Sequence, residues 1–197
     1  NELINKSQAD KKTFNKQKPM DGPLKNLIVV DLTRVLVGPY CTMILSDLGA
    51  RVIKVEAPEV GDDSRKFGPF IKDYSAYFMS LNRGKESIAL NLKNEDDKKI
   101  FDKILSKADI LVENFKPGTL EKWGYGWKDV NKKYPKLIYA SASGFGQTGP
   151  LKELPAYDKG GQGMGGLIRA TGQPNSEPTR VGTSIGDITA GLFTTIG

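Results

Sequence analysis

An alternating α/β domain with a parallel sheet and flanking helices is the fold class this sequence predicts, and three observations lead to it. Leu27-Ile28-Val29-Val30-Asp31-Leu32 is a short, nearly continuous apolar run, the pattern of a strand covered on both faces. Arg51-Val52-Ile53-Lys54-Val55-Glu56 is a second strand-like stretch, and a helical segment separates the two. Strand, helix and strand within roughly 30 residues form a βαβ unit, which calls for parallel pairing. The same alternation then recurs downstream.

Taken in order, residues 1–22 are polar, lysine-rich and aperiodic, and read as a disordered arm or the remnant of a targeting segment. On that reading a mitochondrial location is the expectation and the cytoplasm the alternative. The folded domain is expected over residues 23–197. After the first strand, Thr33 to Val37 form a loop, Pro39 suits the first position of a helix, and Tyr40 to Leu48 continue it to Gly49. The second strand runs into a loop, Ala57 to Arg65, and then an aromatic-bearing stretch with Phe67, Phe70, Tyr74, Tyr77 and Phe78. Ser87 to Leu92 alternate as a third strand. Asn94 caps a helix with three acids in its first turn and Ile100, Ile104 and Leu105 on one face. Ile110 to Val112 make a fourth strand, Pro117–Gly124 and Trp127–Tyr134 short helices, and Leu137–Ser141 a fifth strand.

Composition excludes several classes. The 197 residues are 38% hydrophobic and 26% charged, ordinary for a globular chain. No apolar run approaches the roughly 20 residues of a bilayer span, so no membrane insertion is expected. Net charge is +6, but five lysines against Glu2 and Asp10 put half of the excess in the first 20 residues. The remaining lysines are dispersed, which argues against nucleic acid and allows a phosphorylated small ligand. The sequence holds no histidine and one cysteine, Cys41. Histidine-based nucleophile pairs are therefore out, no metal site is expected, and no internal disulfide is possible.

In open parallel sheets ligands bind beyond the carboxyl ends of the strands. Those ends carry Arg34 to Val37, Leu90 to Lys93, Asn114 with Lys116, and Gly144 to Gly149. Gly144-Phe145-Gly146-Gln147-Thr148-Gly149 matches a dinucleotide fingerprint literally, but Pro150 and a polar loop follow where a helix should open. Gly161 to Gly166 repeat the pattern without a preceding strand, and their glycines fit close backbone approach. Near the end, Val181 to Gly191 place one acid, Asp187, among small and apolar neighbours at a helix start. It is either a first-turn acid favoured by the helix dipole or a functional carboxylate.

As a set these residues resemble the class III CoA-transferases. The resemblance lies in Asp31-Leu32-Thr33-Arg34-Val35-Leu36-Val37-Gly38-Pro39, Asp47-Leu48-Gly49-Ala50 with Val52 to Glu56, and Gly61-Asp62-Asp63-Ser64-Arg65. It continues through Leu81-Asn82-Arg83-Gly84-Lys85, Val112 to Gly118, Gly144 to Pro150, Tyr157-Asp158 and Gly186-Asp187. The resemblance implies the Rossmann-like N-terminal domain of such an enzyme, with the succinyl-CoA:glutarate (hydroxymethylglutarate) transferases most similar. It makes Asp187 the nucleophile, forming an aspartyl–acyl anhydride and then an aspartyl-CoA thioester. By position it assigns CoA contacts to Leu36, Val37, Leu90, Asn91, Leu92, Lys93, Asn114, Phe115, Lys116, Lys122 and Tyr157. Relatives often carry arginine where Lys122 stands, and some use an arginine where this chain has Ala57. Coenzyme A and its acyl thioesters enter as substrates, no permanently bound cofactor is implied, and the partners are a carboxylate acceptor and a second copy in an interlocked homodimer.

Two alternatives stand beside this. The α-methylacyl-CoA racemases resemble the chain through the 150s but place a histidine before the aspartate aligned with Asp158, where Tyr157 stands here. An inactive CoA-binding or structural fragment is the other, because the half that closes the substrate site in the family these residues resemble is not among them; the chain also starts at Asn1 and stops at Thr194-Thr195-Ile196-Gly197 inside an apolar helical pattern. A longer polypeptide, about twice this length, is the expectation.

Overall fold

The computed structural model describes residues 21–197. The arm expected over residues 1–22 lies outside the described residues as far as position 20. Asp21 and Gly22 belong to the folded body, where Lys25 pairs with Asp21 and the Leu24 N–H donates to the Leu48 carbonyl oxygen. Strand β1 (Ile28–Asp31), helix α1 (Val37–Asp47) and strand β2 (Arg51–Glu56) build the first βαβ unit. A 3₁₀ turn (Asp63–Lys66), a hairpin of β3 (Phe70–Ile71) and β4 (Tyr74–Ser75), and helix α2 (Ala76–Asn82) follow. The chain continues through β5 (Glu86–Ala89), α3 (Glu95–Leu105), β6 (Ile110–Glu113), α4 (Thr119–Trp123), α5 (Trp127–Lys133) and β7 (Ile138–Ser141). Helices α6 (Asp158–Met164), α7 (Leu167–Ala170) and α8 (Ile185–Ile196) complete it.

The five-stranded sheet has the order β5-β2-β1-β6-β7, and every pairing is parallel. The order runs outward from β1 in both directions, the doubly wound arrangement of Rossmann-type domains. Alternation along the central strands splits the core into two layers. Val30 and Leu111 face Phe101, Leu105, Leu120 and Val130 of α3, α4 and α5. Val29 and Val112 face Cys41 and Leu45 of α1. Helix α8 packs on the far side of α1, and α6 packs on α8.

Three local expectations change. Helix α1 begins at Val37, so Pro39 occupies the third helical position rather than the first. That position also lacks an intrahelical acceptor for its N–H, and proline costs nothing there. Gly38 lies so close to Thr33 that a Cβ would come within 2.2 Å of its Cγ2, which rules out any side chain. The third strand ends at Ala89, not Leu92, because Leu90 and Leu92 turn into the core instead. The aromatic stretch contains the β3–β4 hairpin and α2, the latter capped by Ser75 Oγ accepting from the Phe78 N–H.

Beneath the strand ends lies a charge-balanced cluster. Asp31, at the end of β1, is fully buried and pairs with Lys85 Nζ at 3.0 Å. Lys54 of β2, 1% exposed, pairs with Asp62 at 3.0 Å and donates to the Thr33 carbonyl oxygen at 2.7 Å. Burial opposes the charge on Asp31. Lys54, Lys85 and the Thr33 and Thr42 hydroxyls outweigh it and hold its pKa at about 2.

Replacing Lys85 with alanine removes the ion pair of Asp31 and leaves it Lys54 and two hydroxyls, and is expected to cost about 3 kcal/mol in chemical denaturation. Because the folded-state pKa of Asp31 lies below its ordinary 3.8, its contribution is complete above the unfolded value and is lost as pH falls toward 2. About 2 kcal/mol of stability should disappear over that window, provided Lys85 is present, and much less in a variant with Asp31 and Lys85 both replaced by apolar residues.

Candidate functional site

The sheet order reverses between β1 and β6, and the loops leaving these two strands diverge there. In a doubly wound sheet that divergence makes the ligand crevice. Asn114, one residue past β6, stitches the two loops together. Its Oδ1 accepts from the Arg34 N–H at 2.9 Å and its Nδ2 donates to the Arg34 carbonyl oxygen at 2.8 Å. The next residue, Val35, sits at φ 68°, a left-handed conformation that a β-branched residue adopts only under constraint. Its N–H donates to Asp62 Oδ1. The buried charge cluster and Asn114 therefore hold this loop in a single strained shape.

A cleft of about 460 Å³ opens beside it. Thr33 and Arg34 line one wall, Ala57 to Glu59 with Gly61 and Asp62 a second, Asn91 and Lys93 a third, and Phe115 with Trp123 the apolar end. Arg34 pairs with Asp63 at 3.2 Å and lies 5.8 Å from the centre of the Phe115 ring. Glu56 is held by a two-pronged Arg65 contact, both bonds 2.7 Å, so the cleft's acidic wall is largely neutralised from behind. Burial works against the Glu56 charge, but Arg65, Ser87 and the Asp62 N–H lower its pKa overall.

Five of the residues assigned by resemblance line this cleft: Leu90, Asn91, Leu92, Lys93 and Phe115. Leu90 and Leu92 are 5% and 7% exposed and belong to the core, so their side chains floor the cleft rather than reach into it. Asn91 and Lys93 are exposed at its rim. Asn114 stands next to the cleft, and each end of its amide makes one bond to the Arg34 backbone, so it clamps that loop. Lys116 and Lys122 are exposed on the loop after β6 and on α4, outside the lining. Tyr157 is 83% exposed before α6 and away from the cleft.

Leu36 and Val37 lie instead at the start of α1, against α8. Leu36 is the residue before α1, and Val37 opens it. Gly191 of α8 rests on this point so closely that a Cβ would come within 2.7 Å of the Val37 carbonyl oxygen. Asp187 is four residues earlier on α8. The two therefore share a helix face, about 6 Å apart along the axis. The close approach at Gly191 thus sets Asp187 one turn from the Leu36–Val37 loop.

Asp187 occupies the third position of α8 and is half-buried. Among the described residues no donor hydrogen-bonds to its carboxylate. Burial raises its pKa, and the negative charge of Asp158 raises it further. Tyr77 of α2 lies where the charges of both Asp187 and Asp62 reach it. Burial raises its hydroxyl's pKa, and Asp187 and Asp62 both add to the effect. Sequence reasoning gave no role to Asp62, Lys54 or Gln162. The available signals were the acid–hydroxyl cluster at 62–64 and a lysine inside an otherwise apolar strand.

The glycine pattern at 144–149 forms turns, and no helix follows it before α6, in keeping with its rejection as a pyrophosphate site. The described residues include no cluster of three or more His, Cys, Asp or Glu suited to a metal ion, and no helix long and apolar enough to cross a membrane.

Fold and site together define a Rossmann-type ligand-binding domain with a switch-point cleft and a separate, desolvated carboxylate on a helix start. Comparison with known proteins gives the family. Residues 24–197 match the model of CoA-transferase family III, and the chain belongs to that family. It is 55% identical over 173 residues to the acetyl-CoA:oxalate CoA-transferase of Acetobacter aceti, covering 87% of this chain and 44% of that protein. It is 45% identical over 172 residues to the succinyl-CoA:glutarate CoA-transferase of Mus musculus, covering 87% and 39%. A crystal structure of a CAIB/BAIF family protein from Brucella suis superposes with a TM-score of 0.84 at 43% identity, covering 89% of this chain and 47% of that one. The chain thus spans less than half the length of these relatives.

The clamp reading of Asn114 has a direct test. Asn114→Ala should cost about 1 kcal/mol in stability by exchanging its two bonds to the Arg34 backbone for bonds to water. Amide exchange should accelerate at Arg34 and Val35, which lose a partner or its support, while the β6 amides stay protected.

Proposed function

We propose that this chain is the CoA-binding and nucleophile-bearing part of a CoA-transferase. It would move CoA from an acyl-CoA, succinyl-CoA in the first instance, to a carboxylic acid, with a dicarboxylate such as glutarate as the acceptor. The observation that carries the reading is Asp187: half-buried, free of hydrogen-bond donors among the described residues, and raised in basicity by burial and Asp158. A carboxylate in that condition is a better nucleophile than a solvated one, and covalent catalysis by a carboxylate needs neither histidine nor metal.

The chemistry balances on one side chain. An Asp187 oxygen attacks the thioester carbonyl, the C–S bond breaks, and CoA leaves as its thiolate with an acyl–aspartyl anhydride behind. The thiolate returns to the aspartyl carbonyl, breaks the anhydride C–O bond and releases the donor acid. The acceptor carboxylate then attacks the aspartyl-CoA thioester, expelling the thiolate and forming a second anhydride. Attack of the thiolate on the acceptor's carbonyl gives the new acyl-CoA and frees Asp187. The positive end of the α8 dipole favours each oxyanion near the first turn. In this reading the Arg34–Lys93 rim and the Phe115–Trp123 end of the cleft take the CoA nucleotide, and the Leu36–Val37 loop lies toward the thioester.

Two further parts of the proposal concern the whole protein: a continuing polypeptide that completes the acceptor site, and pairing as an interlocked homodimer. The racemase alternative gains no support, since Tyr157 stands where that reaction places a histidine.

Asp187→Ala in the full-length enzyme should lower turnover by about 10⁴-fold or more while CoA binding persists. Hydroxylamine added with acyl-CoA should convert Asp187 to a hydroxamate detectable by peptide mass, and turnover with the label elsewhere would refute the mechanism. Because Asp187 acts ionised and its pKa is raised above 3.8, the acid limb of kcat/KM should fall off at a pH above that of an ordinary aspartate. Succinyl-CoA and acetyl-CoA offered against oxalate, glutarate, carnitine and short monocarboxylates identify the substrates. Failure of every dicarboxylate would remove the acceptor assignment.

A further inference from the structure

We infer that Gln162 and Asp158 act as positioning residues that hold the first turn of α8, and with it Asp187, in place. The inference rests on the proposed nucleophile and adds the device that orients it. Helix α8 lacks a cap of its own: Ser184 precedes it and makes no side-chain capping bond. The missing acceptor comes from another helix. Asp158, the first residue of α6 and 7% exposed, accepts the Gly186 N–H on Oδ1 at 2.9 Å.

Asp158 is itself held by Gln162, one turn further along α6 and 2% exposed. Gln162 Nε2 donates to Asp158 Oδ2 at 2.8 Å and to the Thr183 carbonyl oxygen at 3.2 Å. Gln162 Oε1 accepts the Val181 N–H at 3.0 Å. One buried amide therefore reads both polar groups of the loop entering α8 and fixes the rotamer of the carboxylate that caps it. Arg180, 3.5 Å from Asp158 Oδ2, adds a partly exposed cation on the outer side.

The arrangement is specific to an amide at 162. Both Nε2 hydrogens face acceptors and Oε1 faces a donor, so neither a carboxylate nor an apolar group of the same size satisfies all three partners. The spacing at Gly186 is equally tight, since a Cβ there would lie 3.3 Å from Asp158 Oδ1. No positive φ requires glycine at this position, and the close approach is its only constraint. A cap supplied across helices ties Asp187 to α6 as well as to α1. The nucleophile is thus located from two directions, by Gly191 against Val37 and by Gly186 against Asp158.

Two variants of the full-length enzyme test this. Gln162→Leu should lower kcat by about 100-fold, the scale of an ångström-level displacement of a reacting group, with KM for acyl-CoA within about twofold of the parent. Since that variant also leaves buried groups unpaired, Gly186→Ala supplies the independent measurement. It adds a methyl against Asp158 while improving helix propensity, so the melting temperature should hold or rise while kcat falls by about tenfold. A clasp with only a structural role predicts the reverse, parental kcat in Gly186→Ala, and that result overturns the inference. Hydroxylamine labelling separates the two levels. If the parent enzyme is labelled away from Asp187, the nucleophile assignment fails. If Asp187 is labelled and Gly186→Ala turns over like the parent, only the clasp fails.

Discussion

The structure depends on a buried, charge-balanced cluster at the carboxyl ends of β1 and β2. Two carboxylates, Asp31 and Asp62, and two ammonium groups, Lys54 and Lys85, meet there almost out of contact with water. Such groups contribute little net stability, because desolvation consumes most of the Coulombic gain. Their contribution is geometric. Lys54 grips the Thr33 carbonyl oxygen, Asp62 takes the Val35 N–H, and Lys85 also donates to the Pro39 carbonyl oxygen inside α1. Four elements are thereby registered on one point, and the strained Val35 conformation, worth about 1–3 kcal/mol, is offset by these contacts. Removing one member unbalances the rest, so the cluster behaves as a unit.

From that point the functional geometry propagates outward through close backbone approaches. Gly38 brings α1 against Thr33, and Gly191 brings α8 against the start of α1. Neither glycine needs an unusual dihedral, and each is required by the atom it faces. The cleft lies at the strand ends, and Asp187 lies on α8, which packs against α1.

The sequence made the parallel sheet legible because its central strands β1, β2 and β6 are largely buried and α3 carries a clear cap. Asn94 caps α3 as read, with its side chain accepting from the Asp96 and Asp97 N–H groups. The β3–β4 hairpin was not legible, because two-residue strands with exposed Phe70, Ile71 and Tyr74 give no periodic signal. The site was partly legible. Leu90 to Lys93 and Phe115 fall where their positions at strand ends place them, since parallel topology alone brings such ends together. Asn114 also clamps the Arg34 backbone, a role that depends on the partner of an amide rather than on its location. Gln162 was invisible for the same reason: a lone glutamine in a glycine-rich stretch looks solvated until its three partners are seen.

The treatment of acids separates scaffold from site. Asp31, Glu56 and Asp62 are all desolvated, yet each has a lowered pKa because lysine, arginine or hydroxyl partners outweigh burial. Glu113 has a raised pKa through burial, but Ser141 Oγ and the Phe115 N–H both donate to it, and those bonds tie β6 to β7 and to the following turn. Asp187 combines burial with a second carboxylate nearby and lacks any donor among the described residues. A fold that partners every other shifted acid and leaves this one uncompensated accepts a cost in stability at a single position. That cost is small where the helix dipole offsets part of it, and it leaves the carboxylate more basic than an ordinary aspartate. The same logic explains why Asp158 is held so firmly. It is the nearby negative charge, and only a fixed carboxylate can cap α8 and raise Asp187 without swinging round to hydrogen-bond elsewhere.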